Sequence, residues 1–184
     1  MAILDLRLDA NQAYRSDRAH RCGLVLCAID TSTGQARLGP RLSYSLAVAE
    51  MVSLACAGRV GLRDDQLMII DPEVTGEPLN DSALSDLQEH PATYSPLTVQ
   101  LWASWRGPRR IDRYLTAAVD GGIVKVVTDR ESGSKALAVV DPEPIKQAAH
   151  RLTAVLDEPA PDIEDIAFAV LADEAGVAGP HLRG

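Results

Sequence analysis

Four arginines crowd into eight residues of the segment "WASWRGPRRIDR" (102–113): Arg106, Arg109, Arg110 and Arg113, beside Trp102 and Trp105. Planar guanidinium forks match the oxygen geometry of phosphate groups. Pro108 suits the first position of a helix, whose opening turn presents unpaired backbone N–H groups and a positive dipole end. The chemistry this implies is recognition of an anionic, phosphorylated headgroup by Arg106, Arg109, Arg110 and Arg113, with Trp102 and Trp105 flanking it. A competing arrangement sets Asp112 and others of the 26 acidic residues against the arginines while both tryptophans pack in the core. Basic residues at an anionic leaflet contribute about 1 kcal/mol each. Four would give marginal attachment, opposed by an otherwise acidic chain of net charge −8.

Other chemistries have less support. His20, His90, His150 and His181 are scattered, and none pairs with a Cys or another His at ligand spacing, so no metal site is expected. There is no Gly-rich phosphate loop and no nucleophile elbow, so neither an enzyme nor a cofactor is expected. The carboxylates of "RDD" (63–65) and "DIED" (162–165) fit a hairpin turn and a solvated helix start. Asp30, Asp71 and Asp141 close apolar runs, which suits turns and caps. Glu50 stands in an otherwise apolar helix. A buried carboxylate is costly unless paired, so an arginine partner is expected for it rather than acid–base work.

These side chains must be carried by a single domain. The chain has 184 residues, 46% apolar but only 4% aromatic, so its core is aliphatic. No apolar run approaches the roughly 18 residues that span a bilayer. Asp5 and Asp9 interrupt what would be the apolar core of a secretory signal. Cys22, Cys27 and Cys56 form no CxxC pair and read as reduced core residues of a cytoplasmic protein. The acidic balance disfavours nucleic acid as a partner, and with it a winged-helix-like DNA binder.

The patterning predicts a mainly α fold: a helical domain around a central buried helix, with two small β-hairpins. Residues 1–20 form an N-terminal extension and 21–184 the single domain. "ILDLRLD" (3–9) alternates in a way that suits adding a strand to a hairpin edge, in this subunit or a neighbouring one. A short helix is expected at 22–29. The central helix is capped by Ser43 or Ser45, apolar nearly all round, and stopped at Gly58. A hairpin follows over "RVGL" and "QLMIID", then an irregular arm "EVTGEPLND" (73–81) pinned by Leu79, and a helix near 82–89 with Leu84 and Leu87 inward. Ser95 and Pro96 open a helix with Leu97, Leu101, Trp102 and Trp105 on one side. Another helix runs from Pro108 to Gly121–Gly122. The second hairpin spans 123–142, and helices at 143–158 and 161–176 complete the chain, the first burying Ile145, Ala148, Ala149, Leu152, Val155 and Leu156. Helix, Gly, hairpin and Asp-Pro thus occur twice, at 45–72 and 111–142, as a weak internal repeat.

The ordered series "LVLCAIDTSTGQARL", "AEMVSLACAGRVGL", "DPEVTGEPLNDSAL", "IDRYLTAAVDGGIVK" and "LAVVDPEPIKQAAHRLTAVL" resembles the Golgi phosphoprotein 3 family, its bacterial members above all, over roughly residues 21–176. "TGEPL" and "AGRV" at their separation carry most of the likeness. The resemblance implies a non-catalytic, mainly helical module. Eukaryotic members are peripheral membrane adaptors that recognise phosphatidylinositol 4-phosphate. Their pocket uses a Trp before the central helix, an Arg early in it and two Arg near the start of a later helix, and an apolar hairpin tip enters the membrane or self-associates. Here those positions fall near Leu38, on Ala47, and near Pro108 and Ile111, with Arg109 and Arg110 within one or two residues. The tip is the polar "TDRESGSK". Two readings follow: a cytoplasmic module at the membrane inner face that binds an anionic lipid headgroup, or an adaptor that keeps the fold, has lost lipid binding and uses the 123–141 hairpin for a protein partner or self-association.

Overall fold

The computed structural model describes residues 23–90, 96–107, 110–128 and 135–179. Among them are seven helices: α1 (23–27), α2 (Pro40–Cys56), α3 (Pro78–Glu89), α4 (Val99–Arg106), α5 (Ile111–Asp120), α6 (Glu143–Asp157) and α7 (Ile163–Glu174). Four strands, β1 (Val60–Arg63), β2 (Gln66–Ile69), β3 (Val124–Thr128) and β4 (Lys135–Val139), form two separate antiparallel pairs. The domain is mainly α with two small hairpins, as the patterning predicts.

Helix α2 runs through the middle because it has no polar side to offer water. Its Leu42, Leu46 and Ala49 join one apolar cluster with α1, Tyr114 and Ala118 of α5, Ile145 and Leu152 of α6, and Phe168 of α7. Its Ala47, Met51 and Leu54 join a second cluster with Val60, Leu84, Leu87 and Trp102. The helix starts earlier than expected. Pro40 occupies the first turn after Gly39, which has no side chain to cap with, and Ser43 and Ser45 lie buried within the helix. Helix α3 likewise starts at Pro78, inside the segment expected to be irregular, because the Glu77 carboxylate accepts the Asn80 N–H and caps it.

The internal repeat is visible in the main chain. After α2 the Arg59 N–H donates to Leu54 O and the Gly58 N–H to Ala55 O; after α5 the Ile123 N–H donates to Ala118 O and the Gly122 N–H to Val119 O. Both glycines have φ +69°, the left-handed value that this helix stop requires. Each post-glycine carbonyl then accepts from the end of its hairpin: Arg59 O from Ile70 and Asp71, Ile123 O from Val140 and Asp141. Asp71 and Asp141 each accept a further N–H two residues on, at 3.0 Å, the cap role expected of them. The first hairpin turns at Asp64 and Asp65, both with positive φ (50° and 62°), as a two-residue primed turn demands. The tip of the second (129–134) lies outside the described residues.

Several expected details differ. Helix α4 is capped by Thr98, whose hydroxyl accepts the Leu101 N–H, and Pro96 precedes it; Ser95 lies outside the described residues. α4 buries Trp102, Ala103 and Arg106, while Leu101 and Trp105 face outward. On α6, Ile145, Ala148 and Leu152 are buried but Leu156 is exposed, being one residue from the end of a helix that its neighbours no longer cover. Cys27 is buried, whereas Cys56, at the last turn of α2, is exposed rather than core.

Candidate functional site

The arginine-rich segment meets α2 at Glu50, which is wholly buried. Arg106, the last residue of α4, donates through Nε to Glu50 Oε2 at 2.5 Å and pairs through Nη1 with Asp86 of α3. Arg110, at the start of α5, places Nη2 3.2 Å from Asp86 Oδ2 and Nη1 3.8 Å from Glu50 Oε1. The Tyr114 hydroxyl, one turn further along α5, lies 3.4 Å from Glu50 Oε1. Four helices thus converge on two carboxylates and two guanidiniums whose charges cancel. Arg106 and Arg110 are only 2% and 4% exposed. Burial pulls the Arg106 pKa below its ordinary value, with Glu50 opposing the shift and the Arg110 charge adding to it.

The tryptophans divide. Trp102 is buried, with the Arg106 guanidinium 4.9 Å from its ring centre, a cation–π arrangement in a dry setting. Trp105 is 46% exposed and makes an edge contact with His90 at 5.9 Å. Arg113 is exposed and donates to Ser82 Oγ at 2.7 Å. Arg109 lies outside the described residues. The expected partner of Glu50 is therefore Arg106, drawn from the very cluster read as a phosphate site. Asp86 and Tyr114 escaped the sequence reading. Asp86 sits between the inward residues Leu84 and Leu87, and that flank is the one signal that marks it.

A cavity of about 480 Å³ opens beside the start of α2, lined by Leu38, Pro40, Ser43, Tyr44, Ala103 and Gly107 among others. No Lys or Arg is among its described lining residues. α4 and α2 approach closely here, since a Cβ on Gly107 would stand 3.0 Å from Ser43 O. Leu38, at the position the resemblance gives to the headgroup Trp, is on its rim, and Ala47 is buried in the core.

Among the described residues no group of three or more His, Cys, Asp or Glu is placed to hold a metal ion, and no helix is long and apolar enough to cross a membrane. The "TGEPLND" arm is held by Asp81, whose carboxylate accepts Thr75 N, Thr75 Oγ and Gly76 N at 2.6, 2.7 and 3.2 Å. Glu77 and Asn80 turn inward against α2, Asn80 Nδ2 donating to Ser53 Oγ at 3.3 Å.

A buried central helix, a carboxylate–arginine brace across four helices and two equivalent hairpins define a helical module of one architecture. Its sequence matches the family model of Golgi phosphoprotein 3 (GPP34) over residues 23–184, and the chain belongs to that family. No curated protein matches it.

Proposed function

We propose that this chain is a non-catalytic adaptor of the Golgi phosphoprotein 3 type that takes a protein partner on its second hairpin. The observation that carries this reading is the commitment of Arg106 and Arg110 to Glu50 and Asp86. A phosphate seeking those guanidiniums would have to displace carboxylates already in place, inside the core. The hairpin offers Val126 of β3 and Val140 just past β4, 52% and 55% exposed, as apolar contacts for a partner.

A second reading, an anionic headgroup such as phosphatidylinositol 4-phosphate at the membrane inner face, is favoured by the cavity at the start of α2, where Gly39 leaves the helix without a side-chain cap.

Co-sedimentation with neutral, generic anionic and phosphatidylinositol 4-phosphate liposomes separates the two. The adaptor reading expects no binding at about 0.15 M salt, and capture of a host protein that is lost in Val126→Asp/Val140→Asp. Phosphoinositide-selective sedimentation would overturn it and move the ligand to the cavity.

A further inference from the structure

The cavity between the start of α2 and the end of α4 gathers three hydroxyls that no neighbour satisfies. Ser43 lines it and is only 8% exposed, yet its hydroxyl has no hydrogen-bond partner. A side-chain oxygen on so buried a residue is normally paired. It is not fully enclosed either, and the cavity is the space that Ser43 borders. Tyr44, on the same turn of α2, and Ser104, on α4, also line the cavity, and neither hydroxyl has a partner.

The lining selects among ligands. Its described residues include no Lys, Arg, Asp or Glu, and Arg106 and Arg110, the nearest cations in sequence, are committed to Glu50 and Asp86. A charge taken into such a place without a counter-charge is costly. Leu38 and Ala103 make the walls mainly apolar, and Tyr44 adds an aromatic ring that is 39% exposed. A hydroxyl both donates and accepts, whereas a phosphate or carboxylate at neutral pH chiefly accepts. Three hydroxyls therefore match groups of their own kind. The opening turn of α2 agrees, since Gly39 caps it with no side chain, and a neutral hydroxyl oxygen caps a helix about as well as a carboxylate does. The volume of about 480 Å³ falls within the roughly 300–1,000 Å³ of small-molecule sites.

We propose that this cavity binds an uncharged, polyhydroxylated ring, a free sugar or the sugar headgroup of a lipid. Its hydroxyls meet Ser43, Tyr44 and Ser104, and its less polar face lies against Leu38 and Ala103. The site is independent of what the second hairpin takes, and it replaces the anionic headgroup as the occupant of this cavity.

The test is saturation-transfer NMR on the full-length chain with methyl β-glucoside, methyl β-galactoside and myo-inositol. The expected result is transfer to at least one of them at millimolar concentration. Ser43→Ala should weaken it about three- to tenfold, the effect of one lost hydrogen bond. Ser104→Trp should abolish it by filling the cavity from an exposed position, with thermal unfolding unchanged, and Tyr44→Ala should weaken it from the opposite wall. Octyl β-glucoside below its micelle concentration distinguishes the source. Tighter binding than the methyl glycoside, lost in Ser104→Trp, supports a lipid headgroup, and equal binding supports a free sugar. Tighter binding of the phosphate ester of the same sugar would overturn the proposal in favour of an anion. Transfer that survives both Ser104→Trp and Tyr44→Ala would overturn it by placing the sugar elsewhere, and no transfer to any of the three would overturn it outright. Each of these outcomes leaves the hairpin reading standing, since that reading fails only on its own variants.

Discussion

Arg106 Nε lies 2.5 Å from Glu50 Oε2 across 56 positions of sequence, with both side chains out of reach of water. Removing one member of a buried pair strands the other, at a cost of about 3–5 kcal/mol. Glu50→Leu and Arg106→Met should each lose stability of that order in urea unfolding, since each leaves an uncompensated charge. The double variant Glu50→Leu/Arg106→Met should lose less than the sum, because Asp86 and Arg110 can still pair. Strictly additive losses would contradict the brace.

The two post-helical glycines should respond alike. Gly58 and Gly122 share φ +69° and have no atom within 4 Å of an added Cβ, so only backbone strain opposes a substitution. Gly58→Ala and Gly122→Ala should each cost about 1 kcal/mol. Gly34 has the same φ, but its added Cβ would collide with Leu137 O. Gly34→Ala should therefore be the most damaging of the three, as read by thermal unfolding.

Asp30 offers a pH probe. The Ser32 hydroxyl, then the Ser32 and Thr33 backbone N–H groups, hold its carboxyl below the ordinary 3.8. A depressed folded-state value contributes stability that is present above the unfolded pKa and lost as pH falls through the folded one. The NMR titration midpoint of Asp30 should lie below 3.8 and move up in Ser32→Ala.

The two thiols among the described residues should label differently; Cys22 lies outside them. Burial pushes Cys27 up to about 12, whereas Cys56 is exposed. At pH 8 an alkylating reagent should modify Cys56 in the native protein and reach Cys27 only on unfolding, as peptide mapping would show. Above the unfolded value of 9.0 the unfolded state ionises Cys27 while the folded state does not. Stability from this group should fall between that pH and about 12.

Much of the fold was legible because glycine and aspartate punctuate it. Gly58, Gly122 and Gly176 mark helix ends with positive φ, and Asp162 caps α7 by accepting the Asp165 N–H. The starts of α2 and α3 were not legible, since Gly39 caps with no side chain and Glu77 is outside the usual capping set. The site was half legible. The need of Glu50 for a cation and the need of the arginine segment for anions are one contact seen from its two ends. Only the arrangement of four helices in space joins them, and it also brings in Asp86, which no spacing in the sequence ties to either.

The twin helix-to-hairpin junctions share one main-chain attachment, to which the first adds an Arg59–Asp71 ion pair. Arg59 O and Ile123 O each grip a returning strand whatever side chains it bears. Such a mount separates attachment from display, so the outward residues of either hairpin, unlike the core-facing Val60 and Val124, are free to diverge while the frame stays fixed. One scaffold can in this way be refitted for different partners by substitutions that never touch its core.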